Sequence, residues 1–156
     1  MNFFRRLFGK PEAPDVNAVE CPRCLGKGRV DMDDIKRLGQ ELKWSPGRCA
    51  FCNGSGRVDP ELLGKVAVNE GYLTTNLSNA DRKRLFSGDE KALEKMWEHN
   101  AKMDSFILEI RRAHVDEGLS AEQITESLIK SNPGMLFKMG RAEILAYIKR
   151  VLLQEN

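Results

Sequence analysis

The chain has 156 residues, room for one ordinary domain or for a small module joined to a modest helical one. A hydrophobic fraction of 41% suffices for a packed core, and a formal charge of +2 is too balanced for a general nucleic-acid binder. No apolar run approaches the roughly 18 residues a membrane span needs, and MNFFRRLFGK lacks the apolar stretch of a secretory signal, so a cytoplasmic chain with reduced thiols is expected.

Residues 1–18 are expected to be a flexible N-terminal segment and linker. Phe3, Phe4, Leu7 and Phe8 fall on one helical face, with Arg5, Arg6 and Lys10 on the other, the pattern of a short anchor on an anionic membrane surface. So few residues make a marginal helix, and a frayed or tucked tail is the simpler reading. PEAPDVNAV, residues 11–19, has two prolines and no helical period, as a linker would.

Residues 19–59 hold all four cysteines in two copies of one pattern: CPRCLGKGRVD at 21–31 and CAFCNGSGRVD at 49–59. Paired Cys-x-x-Cys loops with reduced thiols argue for metal before disulfide. Two such loops offer Cys21, Cys24, Cys49 and Cys52 to one closed tetrahedral zinc site of structural type. Gly26 and Gly54 can take positive φ and turn backbone N–H groups toward sulfur. Gly28 and Gly56 let the chain reverse and leave as strand through Arg29-Val30 and Arg57-Val58. Arg23, Lys27, Arg29, Arg48 and Arg57 would offset the charge of −2 on a zinc tetrathiolate. Between the copies, Asp33 or Asp34 can cap a short helix with Ile35, Leu38 and Leu42 on one face, ended by Trp44-Ser45-Pro46-Gly47.

The pattern Cys-x-x-Cys-x-Gly-x-Gly resembles the repeat of the cysteine-rich zinc domain of DnaJ co-chaperones, and both copies match it in full across residues 21–58. The resemblance implies a zinc module that helps bind non-native or partner protein. That family carries four repeats for two zincs, and this chain has two, enough for one. The J domain with its His-Pro-Asp loop has no counterpart, since neither His99 nor His114 precedes a proline, and the β-sandwich substrate domains are missing too. ATPase stimulation therefore does not carry over.

Residues 60–156 read as a helical domain. Asp59-Pro60-Glu61 looks like a helix start, with Leu62, Leu63, Val66 and Ala67 as its buried face and Asn69 to Gly71 as its stop. Asp81-Arg82-Lys83-Arg84 reads as a solvated face. From Ser87-Gly88-Asp89 the longest helix is expected to run to about Glu117, with Leu93, Met96, Asn100, Met103, Ile107, Ile110 and His114 along a narrow seam and Gly118 as its stop. Ser120-Ala121-Glu122-Gln123 is a capping box, with Leu119 and Ile124 placed for a staple. After the break at Asn132-Pro133-Gly134, a last helix from about Arg141 presents Ile144, Leu145, Ile148, Val151 and Leu152.

The expected fold is thus mainly α: a small zinc-stabilised hairpin or knuckle module built on four cysteines, followed by a helical bundle. No nucleophile–base pair, phosphate loop or carboxylate constellation stands out, which argues against an enzyme. The expected function is a zinc-binding, chaperone-like accessory protein that binds other proteins, non-native clients among them. Its contact patch would be Leu25 and Phe51 flanked by Arg23 and Arg48, because a ring between two ligand cysteines has little room to turn inward. The alternative for Phe51 is packing on Ile35 or Leu38. Two rival functions remain: a thiol-disulfide oxidoreductase using CPRC or CAFC, and, with less support, a nucleic-acid-binding regulator.

Overall fold

Each cysteine repeat ends in two residues of extended chain, and each finds its strand partner beside the other repeat. In the computed structural model, which describes residues 17–154, β1 (Val19–Glu20) pairs antiparallel with β4 (Arg57–Val58), and β2 (Arg29–Val30) pairs with β3 (Gly47–Arg48). The residues before one copy thus meet the residues that close the other, which ties the two repeats into one intertwined unit. Phe3, Phe4, Leu7 and Phe8 lie outside the described residues.

The short helix between the repeats, α1, spans Met32–Arg37. Its N-cap is Asp31, two or three residues earlier than expected, because Asp31 and Asp34 form a reciprocal capping box. Asp34 is buried yet well partnered: it accepts from the Asp31 N–H at 3.0 Å, Lys27 Nζ at 2.7 Å and Arg37 at 3.2 Å. Ile35 is the helix's buried apolar residue.

After the second repeat the expected helix does not form. Asp59 caps a single 3-10 turn, Pro60–Leu62, and the chain then runs without regular structure to Ser78. Leu63 leaves in extended conformation and Gly64 takes φ +90, so no second turn can start. Of the expected buried face only Val66 is buried, while Leu63 is 40% exposed. Helix α2, Asn79–Ser87, capped by Ser78 and stopped by Gly88 at φ +77, closes this part of the chain. It carries the run Asp81–Arg84, which was expected only to face solvent.

The chain divides into two compact units, one ending at Asp89 and one beginning at Glu90. Residues 60–89 therefore go with the cysteine module, not with the later helices where the sequence reading had placed them.

The second unit is helical. Helix α3, Glu90–Val115, follows the expected limits closely. Along its seam Leu93, Met96, Asn100, Met103 and Ile107 are half-buried and Ile110 is buried, whereas His114 is exposed and bonds the Leu119 carbonyl through Nδ1 at 2.8 Å. Gly118 takes φ +68. Helix α4, Ala121–Ser131, starts at the Ser120–Gln123 capping box, α5 is the single turn Met135–Lys138, and α6 is Arg141–Leu153. Helices α3, α4 and α6 pack on one another around Ile110, Ile124, Ile129, Ile144, Ile148 and Val151. The whole is mainly α with a small cysteine module, and no regular strand follows Val58 among the described residues.

Candidate metal centre

The intertwined repeats bring the four cysteines together. Cys21, Cys24 and Cys49 are fully buried and Cys52 nearly so, and all four sulfurs lie within 4.8 Å of one another. The shortest approaches run across the repeats: Cys21 Sγ to Cys49 Sγ at 3.8 Å and Cys24 Sγ to Cys52 Sγ at 3.8 Å. Such a cluster can hold one metal ion.

The glycines account for this geometry almost atom by atom. Gly28 donates its N–H to Cys24 Sγ at 3.2 Å, and Gly56 donates to Cys52 Sγ at 3.2 Å. The carbonyl of each then accepts from the first cysteine of the other copy, Cys49 N–H to Gly28 at 3.0 Å and Cys21 N–H to Gly56 at 2.9 Å. One residue per repeat thus satisfies a sulfur on its own side and locks the partner repeat. Neither residue tolerates a side chain. A Cβ on Gly28 would sit 2.5 Å from the Gly54 oxygen, and one on Gly56 would sit 2.3 Å from the Gly26 oxygen. Gly26 and Gly54, at φ +82 and +84, make the turn itself, following Leu25 and Asn53, which also hold positive φ.

The thiols are unequal. Hydrogen bonds from Cys21 and Cys49 pull the Cys52 thiol far down, helped by the Gly56 N–H. Sharing a proton with Cys49 and Cys52, together with burial, pushes Cys21 far up. Cys52 is therefore readily a thiolate, whereas Cys21 needs a cation beside it to give up its proton.

Two guanidinium groups stand by the cluster. Arg23, between the first pair of cysteines, is 2% exposed; it was expected on the surface and lies in the interior instead. Its Nε and two terminal nitrogens donate to the carbonyls of Val68 at 2.8 Å, Leu73 at 2.7 Å and Glu70 at 3.1 Å. The Trp44 ring centroid lies 4.1 Å from its central carbon and that of Phe51 lies 5.5 Å away. Burial lowers its pKa from 12.5 to about 10 against the opposing pull of Cys49 and Cys21, so it stays a cation at neutral pH. Arg82 in α2 donates to the carbonyls of Ala50 at 3.1 Å and Phe51 at 2.6 Å, and it too feels the cysteine charge.

Phe51 overturns the expected contact patch as well. It is fully buried and meets Phe86 of α2 edge to face, ring centroids 5.6 Å apart. The ring lies in a core it shares with α2. Arg23 and Phe51 occupy the same position in their repeats, the residue before the second cysteine, and both point into one interior. That equivalence was the signal in the sequence for their shared fate. Leu25, 50% exposed, and Arg48, exposed, remain on the surface. Arg82, Trp44 and the carbonyls of 68–73 are the members of the site that sequence reasoning missed.

No family model matches the chain, and no curated protein or solved structure matches it.

Proposed function

We propose that residues 19–89 form a zinc-clamped protein-interaction module, similar in its metal-binding core to the cysteine-rich domain of DnaJ co-chaperones, in a cytoplasmic accessory protein that binds other proteins without catalysis. The spacing of the sulfurs carries the reading. Four sulfurs about 2.3 Å from a central zinc, at the corners of a tetrahedron, are about 3.8 Å apart. The two cross-repeat approaches have that length. A disulfide would need sulfurs about 2.05 Å apart.

Zinc suits this donor set because it takes four thiolates in a closed shell. The resulting charge of −2 is met by the Gly28 and Gly56 N–H groups and by the cations of Arg23 and Arg82. Burial of all four sulfurs opposes the oxidoreductase alternative, since a substrate disulfide must reach the attacking sulfur. Leu25 and Arg48 are the candidate contacts that remain exposed. Native mass spectrometry of gently purified protein should show a single zinc that is lost on Cys24→Ser. Two zincs, or none, would refute the proposal.

A further inference from the structure

The two ribbons that frame the metal centre are equivalent in backbone and unequal in charge. In one, Glu20 stands opposite Arg57, an opposite-charge pair, and the Arg57 guanidinium also donates to the Ala18 carbonyl. In the other, Arg29 stands opposite Arg48. Glu20 and Arg48 hold the same place in their repeats, each just before the first cysteine. Each lays its side-chain stem over the equivalent glycine: a Cβ on Gly26 would lie 3.1 Å from Glu20 Cγ, and one on Gly54 would lie 3.1 Å from Arg48 Cγ and Cδ. The second ribbon thus has a guanidinium where the first has a carboxylate.

Like charges directly opposite on a ribbon are unfavourable unless an anion joins them. Arg29 and Arg48 are both exposed, and neither guanidinium has a hydrogen bond or ion pair among the described residues. The metal cluster does not claim them, because Arg23 and Arg82 already lie beside the sulfurs. Opposite residues of an antiparallel pair stand about 4.5–5.5 Å apart at Cα, close enough for two guanidinium groups to hold one carboxylate between them.

We propose that Arg29 and Arg48 form a seat for a carboxylate-bearing, acidic segment of a partner protein. This names the partner chemistry of the interaction module proposed above and rests on that reading. A peptide carboxylate fits better than a nucleic-acid backbone. Residues 17–89 carry twelve lysines and arginines against ten acids, and four zinc-bound thiolates would cancel that excess. A phosphate chain needs an extended row of cations, whereas this is an isolated pair.

The test is fluorescence anisotropy of the zinc-loaded full chain with a labelled decapeptide alternating glutamate and glycine. Arg48→Glu recreates the opposite-charge ribbon, so it should fold and keep its zinc, yet bind the peptide about tenfold more weakly or worse. Lys83→Glu makes the same change of net charge on α2 and should leave the affinity within about twofold. Should Arg48→Glu misfold, Arg29→Gln gives the same reading. The proposal is overturned if the peptide fails to bind at about 1 mM, if both charge reversals weaken it equally, or if a single-stranded oligonucleotide binds more tightly and loses binding on Arg48→Glu. Capture of native partners separates the two readings. If Cys24→Ser abolishes capture and Arg48→Glu spares it, the module stands and the carboxylate seat falls. If Cys24→Ser spares capture, the module reading itself falls.

Discussion

Replacing Gly56 by alanine tests whether the two repeats are locked through their glycines. The structure gives two penalties at this site. A non-glycine residue at φ +76 costs about 1–2 kcal/mol. The new Cβ would also lie 2.3 Å from the Gly26 carbonyl oxygen, a backbone atom in the other repeat that cannot rotate away. Overpacking against fixed atoms adds about 1–3 kcal/mol, so the total is about 2–5 kcal/mol, a large share of a small unit's stability. Separating the repeats also stretches the bond from the Cys21 N–H to the Gly56 carbonyl and opens the cluster. Gly39→Ala is the matched control: Gly39 has φ +69 and nothing within 4 Å of its Cβ position, so it should suffer only the conformational cost. The assay is zinc stoichiometry by a colorimetric chelator together with thermal unfolding of the full chain. Gly56→Ala should lose most of its zinc and its first unfolding transition, while Gly39→Ala keeps its zinc with a modest shift. Full zinc retention and an equal shift in the two variants would refute the interlock.

Arg23→Lys should be nearly as damaging, because an ammonium cannot serve the carbonyls of Val68, Glu70 and Leu73 at once; about 2–3 kcal/mol is expected from the carbonyls left without a donor, read as a drop in melting temperature with protease cleavage between 63 and 77. Phe51→Ala should lower stability by about 3–5 kcal/mol through the void against Phe86, and an unchanged melting temperature would mean that the ring is not core. Chelation should unfold the chain as far as Asp89 and leave the circular dichroism of the helices after Glu90, whereas complete loss of helicity would show a single cooperative unit. Acid should release zinc as protons compete for the thiolates. The Asp31 carboxyl, held down to about 2 from 3.8 by Lys27, contributes stability present above its unfolded value and lost only as pH falls through about 2, so metal loss should precede its titration.

The features legible in the sequence are those set by local chemistry. The repeat spacing brought the four cysteines together on paper as they are in space, the Ser120–Gln123 box marked the start of α4, and three-and-four spacing drew the length of α3. Two of the failures share one physical origin. Asp59-Pro60-Glu61 has the local signals of a helix start, and only one turn forms because the chain beyond is held by Arg23, whose bonds reach 45 to 50 residues along the sequence. A side chain that organises a distant loop through backbone carbonyls leaves no periodic trace there. Arg82 escapes for the same reason: within Asp81–Arg84 it looks like a charge on a solvated face, and its partners, the carbonyls of Ala50 and Phe51, are thirty-two and thirty-one residues away.

The two repeats divide the work between what they share and what they do not. The shared residues, cysteines and glycines, build a symmetric clamp in which each copy secures the other. The residues that differ do the rest. At the position before the second cysteine, one copy has Arg23, which holds the loop of 68–73, and the other has Phe51, which holds α2. Both side chains spring from between two sulfur ligands, so a metal that fixes the sulfurs also fixes the roots of both contacts. The consequence is that a metal ion held there would order far more than the short loops that carry it, through Arg23 to the loop of 68–73 and through Phe51 to α2. The same asymmetry one step outward, Glu20 in one ribbon and Arg48 in the other, lies on the exposed side of the clamp. A duplicated motif that is symmetric at the metal and asymmetric around it therefore builds its core from the differences at one position, Arg23 and Phe51, and leaves the two ribbons unlike in charge at another, Glu20 and Arg48.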